Sequence, residues 1–253
     1  RPTIGLPLRR LAEPTHQALE KAGLETPPGY ANGNRKYFTE TKTALYVFDR
    51  AADLPRRVMT GDVDIAVTGS DTLHEEELRY IKFSNKFGIH HPTDNVTQTP
   101  IGNEEWYTGI LSNSTVDETF DEFLHRLSKS YNNERILSWT ELPYSEEEIL
   151  LRHSPPDGLL IGIYPSDSGE IIIMPSTGAS EGKLALRHNR LGLEVIQTGD
   201  TARDNNLRVY PETLEKHNMV VVRPENLKNS YADEYEKRLS ETFEESDSKP
   251  VLA

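Results

Sequence analysis

"TALYVFDRAADLPRRVMTGDVDIAVTG", Thr43 to Gly69, decides the fold: two apolar runs, "TALYVFD" and "VDIAVTG", flank a segment whose Leu54, Val58 and Met59 recur at helical spacing after Asp53. Strand, helix and strand in so few residues point to parallel strands. Upstream, "TIGLPL" reads as a strand. "EPTHQALEKAGL" reads as an amphipathic helix with Ala18, Leu19 and Ala22 on one face and Gly23 as its stop. Alternating strands and helices imply an α/β protein with a sheet covered on both faces. Ligands of such sheets sit at the carboxyl ends of the strands, where Pro7, Arg50 and the segment from Thr68 to Asp71 fall.

From about Lys86 to Asn189 the texture changes. "HHPTDNVTQTPIGNEEWYTG" is followed by a helix, "VDETFDEFLHRLSKSY", an acidic stretch, "SEEEIL", and two strand-like runs, "GLLIGIY" and "EIIIMP". The chain then returns through "LEVIQTG", a late strand "NMVVVRP" and a closing helix "SYADEYEKRLSETF". The reading is two α/β domains, the second inserted into the first: 1–85 plus 191–240, then 86–190, with a polar tail over 241–253 expected to be disordered.

The chain of 253 residues is long enough for a sizeable core, and its net charge of −13 argues against nucleic acid and anionic membrane as main partners. A negative protein that binds phosphates must do so locally. With no cysteine, thiolate catalysis and zinc–thiolate sites are excluded. No run of 18 apolar residues suggests a membrane span, and the N-terminal stretch lacks the long apolar segment of a signal peptide, so the cytoplasm is the expected location. His90 and His91 point to opposite sides of an extended chain and do not readily share an ion. The acidic runs Glu75–Glu77 and Glu146–Glu148 read as solvated helix starts.

Several stretches could hold anions. In "LEVIQTGDTARDNNLRVY", Leu193 to Tyr210, a short strand breaks into Thr198, Gly199, Asp200 and Thr201 before a helix begins, which gathers free backbone N–H groups at one point. An ordinary capped turn accounts for the same residues. Arg9 and Arg10 follow a strand end, from where a guanidinium can fork onto a phosphate; a solvated surface pair is the alternative. Asp71, two residues beyond Gly69, is a candidate ligand or a helix cap. "STGASEGK", Ser176 to Lys183, is Gly-rich but lacks the spacing of a nucleotide-binding P-loop, so it is either a polyphosphate cradle with Lys183 or a flexible connection.

Taken together these stretches resemble the ATP phosphoribosyltransferase family, the first enzymes of histidine biosynthesis. "LPLRRLAEPTHQALEKAGL" is similar to that family's LPKGRL-type opening and its helix ending in KAGL. "DRAADLPRRVMTGDVDIAVTGSDTLHE" resembles its R-x-x-D-[IL]-P and G-x-x-D-[IL]-x-[IV]-x-G-x-D-x-L segments, and "VIQTGDTARDNNL" its phosphoribosyl-diphosphate loop. "GASEGK" falls at the family's G-S-V-E segment, with Glu181 in the acidic place. There are departures: Leu8 and Arg9 replace the family's lysine and glycine, Arg190 replaces the first acid before the loop and leaves Glu194 as the second, and Asn206 replaces a glycine.

The resemblance implies two domains of periplasmic-binding-protein-like architecture. It also implies transfer of the phosphoribosyl group from 5-phosphoribosyl-1-diphosphate to an ATP-like purine nucleotide, with Mg²⁺ and release of diphosphate. Under it, the backbone from Thr198 through Gly199, Asp200 and Thr201 to Ala202 holds the 5'-phosphate, and Glu194 holds ribose hydroxyls or Mg²⁺. Arg10, Arg50 and Lys183 hold the phosphates of the acceptor nucleotide, Arg9 and Glu181 are further substrate-binding candidates, and Asp71 is the weakest assignment. Since the sequence ends soon after the closing helix, the family's short form is expected, as a homo-oligomer (dimer or hexamer) with a separate regulatory subunit. A catalytically silent paralogue, a relative acting in nucleoside secondary metabolism, or a bilobed solute-binding module remain as alternatives.

Overall fold

A computed structural model describes residues 1–30, 37–87, 95–130, 135–153, 160–165, 170–176, 183–184 and 191–244. The described chain forms two compact units: Arg1–Glu105 with His217 through Glu244, and the intervening Trp106–Lys216. The chain crosses between the units at Glu105–Trp106 and at Lys216–His217, whereas the sequence reading put the crossings near residues 86 and 190.

In the first unit β1 (Thr3–Leu8) leads through a 3-10 turn (Arg9–Leu11) into α1 (Ala12–Lys21). The helix buries Thr15, Ala18 and Leu19 and stops where Gly23 takes a φ of +61°. There the N–H of Leu24 donates to Leu19 O and that of Gly23 to Glu20 O, both at 2.9 Å, which satisfies carbonyls that the helix end leaves open. Next come β2 (Phe38–Glu40), β3 (Leu45–Arg50), α2 (Leu54–Met59), β4 (Ile65–Gly69) and α3 (Ser70–Phe87). The first part of β5 (Val96–Ser112), the later part of β11 (Glu215–Pro224) and α7 (Ser230–Ser240) complete the unit. β1 pairs in parallel with β3, Thr3 opposite Leu45 through Leu8 opposite Arg50, and with β4 through Ile4 and Ile65. Leu54, Val58 and Met59 of α2 pack with Ala66, Val220 and Val222, so the helical spacing read from the sequence is the core face.

The second unit carries the rest of β5, α4 (Phe120–Ser130), β6 (Ile136–Thr140), α5 (Pro143–Arg152), β7 (Ile161–Ile163), β8 (Ile171–Pro175) and β9 (Leu191–Ile196). After β9 come α6 (Asp200–Asp204), β10 (Arg208–Val209) and a 3-10 turn (Pro211–Thr213). Its strands run in the order β5-β9-β6-β8-β7. β9, β6, β8 and β7 run parallel to one another, and β5 is antiparallel to β9. Phe120, Phe123 and Leu127 of α4 and Ile149 and Leu150 of α5 close the core over Ile171, Ile173, Leu191 and Leu193.

Three expectations need correction. β9 pairs with β5 and β6, which places the loop after it in the inserted unit and not in the first. The tail does not begin loose at 241: Thr242 is buried and its hydroxyl accepts the Gly102 N–H at 2.9 Å. The acidic runs are not solvated helix starts either. Glu146 is fully buried, with the Ser138 hydroxyl bonded to its carboxylate. Glu76 lies inside α3, where Arg56 grips both its oxygens at 2.9 and 3.0 Å, and burial pushes the Glu77 carboxyl up from its ordinary value.

Candidate active site

Each unit ends its parallel strands in a cluster of polar groups, and the two clusters are built differently. In the first unit the carboxyl edge of β1, β3 and β4 brings Arg9, Arg10, Arg50 and Asp71 together. Leu8 lies opposite Arg50 in register, so the two arginines after Leu8 emerge beside the end of β3. Arg9 has a φ of +63°, a left-handed conformation that costs a side-chain-bearing residue roughly 1–2 kcal/mol. That turn sets Arg10, whose Nη2 lies 3.8 Å from Oδ2 of Asp71, 2% exposed in the first turn of α3. Asp71 Oδ1 also accepts the Thr72 N–H at 2.8 Å, so it acts locally on the helix start as well. Arg50 Nε donates to Asp53 at 2.6 Å and Arg57 Nε to Asp49 at 2.7 Å. The Thr68 hydroxyl donates to Ala51 O at 2.7 Å and ties the end of β4 to the turn after β3. Arg10 keeps a third of its side chain exposed and Arg50 half.

The second unit's cluster stands at the carboxyl edge of β6, β8 and β9. From Ile196 the chain leaves the sheet into Gln197 and Thr198, and Gly199 turns it with φ +77° and ψ −1° into α6. The first N–H groups of a helix have no intrahelical acceptor, so those of Thr201 and Ala202 are available to an anion. Ala202 is buried against Leu111, Leu184, Ile196 and Leu207, which anchors the loop from beneath. The Leu207 N–H closes on Ala202 O at 2.8 Å after Asn206 takes a φ of +53°. Asparagine tolerates that region, which is how it stands where the resembling family has glycine. The Thr198 hydroxyl donates to Asp200 at 2.6 Å and Arg203 pairs with the same carboxylate. These contacts, the hydroxyl first, hold the Asp200 carboxyl below its usual range.

Glu194 lies on β9 opposite Gly109 and is 9% exposed. Lys183 Nζ sits 3.7 Å from the centre of the Trp139 ring and donates to Ser176 Oγ at 3.1 Å. Trp139 is the residue that sequence reasoning missed. Its position beneath Lys183 depends on β6 lying beside β8 with Trp139 opposite Met174, a pairing that no local pattern signals. Glu181, Arg190, His90, His91 and Asp94 lie outside the described residues.

A sequence profile of the family described as ATP phosphoribosyltransferase matches residues 50–244. The ATP phosphoribosyltransferase of Brucella anthropi is 27% identical over 217 residues, 83% of this chain and 84% of that protein. That of Methanococcoides burtonii is 41% identical over 70 residues, 27% of this chain and 24% of the longer relative. Among solved structures, the ATP phosphoribosyl transferase (HisG:HisZ) complex from Thermotoga maritima matches with a TM-score of 0.66 at 16% identity, covering 96% of this chain and 98% of that one. The arginine-, lysine-, histidine-binding protein ArtJ from Geobacillus stearothermophilus matches with a TM-score of 0.50 at 10% identity, over 95% and 88% of the two chains, a likeness of fold alone. No helix of the described residues is long and apolar enough to cross a membrane. With the family profile spanning most of its length and the phosphate-loop and strand-end segments in the family's order, this chain belongs to the ATP phosphoribosyltransferase family.

Proposed function

We propose that the protein transfers the phosphoribosyl group of 5-phosphoribosyl-1-diphosphate to an ATP-like purine nucleotide and releases diphosphate. The observation that carries this reading is the loop from Thr198 to Ala202, where a left-handed Gly199 opens the start of α6 at the carboxyl edge of a parallel sheet. The backbone there holds the 5'-phosphate, with the Thr198 and Thr201 hydroxyls beside it. Arg9, Arg10 and Arg50 hold the acceptor's phosphates on the first unit, and Lys183 offers a cation to a phosphate on the second.

In the reaction a purine nitrogen attacks C1' while the bond from C1' to the diphosphate oxygen breaks. The electron pair leaves with the diphosphate and configuration at C1' inverts. The transition state resembles an oxocarbenium ion, so the protein's contribution is placement of the two reactants and stabilisation of charge, with no covalent intermediate on the enzyme. Glu194, a buried carboxylate on the strand that delivers the loop, orients the ribose hydroxyls.

A divalent cation fits this arrangement in one way. No group of three or more His, Asp or Glu side chains among the described residues forms a cage, and hard ions such as Mg²⁺ take one or two carboxylates plus substrate phosphates. Mg²⁺ would come with the diphosphate and be met by Glu194, supplying neutralisation of the leaving group's charge. Asp71, buried beside Arg10, positions that guanidinium. We also propose a homo-oligomer served by a separate regulatory subunit, as in the family's short form; sedimentation of the protein alone and with such a subunit tests it.

The direct test is diphosphate release from 5-phosphoribosyl-1-diphosphate and Mg²⁺ across a panel of purine nucleotides. Release with one adenine nucleotide well above the others supports the reading. No release with any of them, although nucleotide binds, would show a silent paralogue.

A further inference from the structure

The parallel strands of the second unit end at β7, which among the described residues pairs with β8 alone. The ladder between the two fixes where each backbone group of β7 points. The Ile171 N–H donates to Leu160 O at 3.1 Å and the Tyr164 N–H to Ile173 O at 2.9 Å, with Gly162 in register opposite Ile172 between them. Alternate residues of a parallel strand bond to one neighbour, so Leu160, Gly162 and Tyr164 turn their backbone groups to β8. Those of Ile161 and Ile163 are directed to the open edge. The side chains of these two isoleucines pack on the core beneath α4 and α5, whereas Leu160 is 64% exposed and Tyr164 56%.

An open edge with apolar flanks is a template for another strand, and proteins that remain single guard such edges with charge. The first unit's open edge, β2, is guarded in this way, since its Glu40 pairs with Arg1. β7 is not guarded. From Gly158 to Ser166, "GLLIGIYPS", there is no charged residue, on a chain of net charge −13. Most surfaces of two such chains repel each other, and this edge brings no like charge to the approach. The run is also symmetric about Gly162, with an isoleucine on each side and then Leu160 and Tyr164.

We propose that β7 pairs antiparallel with β7 of a second copy of this chain, about a two-fold axis at Gly162. A two-fold axis joins the same surface of both chains and therefore demands this self-complementarity. In that register Ile161 and Ile163 of one copy each exchange both backbone bonds with Ile163 and Ile161 of the other. Gly162 meets Gly162 in a non-bonded pair, where Cα atoms approach to about 4.5 Å and no side chain impedes them. Leu160 lies beside Tyr164 of the second copy, so the exposed apolar side chains cover one another. Pro165, which has no N–H, ends the ladder. A tyrosine brings about 150–250 Å² to a contact, so the two side chains supply on the order of 250 Å² per copy, less than the roughly 800 Å² of a stable interface. The pairing should accordingly dissociate in the micromolar range. It rests on the homo-oligomer proposed above and locates one of its axes.

Sedimentation velocity of the whole chain across the micromolar range tests it. Leu160→Glu and Tyr164→Lys should each halve the mass of the parent's largest species, with dissociation about tenfold easier. The double variant Leu160→Glu with Tyr164→Lys sets opposite charges side by side across the axis and should recover association to within about threefold of the parent. Amide exchange on the unmodified protein separates a β-ladder from a loose apolar contact: Ile161 and Ile163 should slow as concentration rises, and Gly162, whose N–H faces β8, should not. An oligomer whose mass neither single variant alters would overturn the pairing and leave the homo-oligomer standing. A parent that is monomeric throughout would overturn both. Exchange at Ile161 and Ile163 that ignores protein concentration but slows when a regulatory subunit is added would give the edge to that subunit, and overturn the pairing as well.

Discussion

The two carboxyl edges, to both of which we assign phosphate, present donors of different kinds on a protein of net charge −13. In the first unit the cations are side chains, and each is set by an acid: Arg10 by Asp71, Arg50 by Asp53, Arg57 by Asp49. In the second the donors are backbone N–H groups, set by a left-handed glycine and a buried alanine. Paired guanidiniums reach far and adapt, so they suit a polyphosphate whose position varies. A backbone cradle has a fixed shape and suits one terminal phosphate. What this teaches is where tolerance lies: the guanidinium edge should lose affinity in steps as cations are removed, and the cradle should fail at one residue.

The sharpest way to break this contrast is Gly199→Val. At φ +77° a β-branched residue is strained and its side chain enters the space that the anion needs. The loss should be on the order of 100-fold in kcat/KM for 5-phosphoribosyl-1-diphosphate. The KM for the acceptor should change little, and the left-handed strain should lower the thermal midpoint by only a few degrees, since Ala202 still anchors the loop. Steady-state kinetics in both substrates and a melting curve check this. An unaltered KM for the sugar diphosphate would remove the cradle from the mechanism.

Next in size is Arg10→Ala. It deletes a cation at the edge and takes from the buried Asp71 one of its partners, so the KM for the acceptor nucleotide should rise about tenfold with kcat less affected. Arg10→Lys should recover part of that, because a point charge remains and the fork is lost. A larger effect on the sugar diphosphate than on the nucleotide would exchange the roles assigned to the two edges.

Trp139→Leu is gentler. It keeps an apolar side chain on β6 but removes the π face under Lys183, an interaction worth about 0.5–1 kcal/mol, so binding of the ligand that Lys183 serves should weaken roughly two- to fivefold. If nucleotide affinity is untouched and sugar-diphosphate affinity falls, Lys183 belongs functionally with the cradle on its own unit.

Much of this contrast was legible in the sequence, for local reasons. The parallel core of the first unit was readable because β1, β3 and β4 are short apolar runs and α2 repeats at helical spacing; the stop of α1 was readable because Gly23 supplies a positive φ. The loop was readable as a strand breaking at glycine before a helix. What escaped depends on distant pairing. The long strand β5 carries Pro100, Gly102 and Gly109, turn residues in other contexts, and it continues only because β9 and β10 pair with its second half. The same pairing moved the loop into the inserted unit. Glu146 reads as surface in any window of "SEEEIL", and a window that size cannot show the Ser138 hydroxyl of β6 that bonds its buried carboxylate.

Arg9 is the position where sequence and backbone disagree most, and the smallest predicted effect follows from it. Its φ of +63° is a glycine conformation, and glycine is what the resembling family has there, with a lysine before it where this chain has Leu8. Two effects of Arg9→Gly oppose each other. The folded state is relieved of about 1 kcal/mol of left-handed strain, while the unfolded chain gains freedom worth about 0.4–1 kcal/mol. The net change in stability should therefore lie within about 1 kcal/mol of zero, on the stabilising side or neutral. Arg9→Ala keeps the strain without the charge and should be no more stable than the parent. If the charge of Arg9 serves the nucleotide, both variants should raise its KM by the same factor, roughly threefold for one exposed cation. The double variant Leu8→Lys with Arg9→Gly, which returns the cation to the preceding residue and the glycine to the turn, should then recover that factor and keep the gain in stability. Melting curves and nucleotide KM for the four proteins separate backbone from charge. Equal KM in all four would leave Arg9 outside nucleotide binding and the first unit's edge to Arg10 and Arg50.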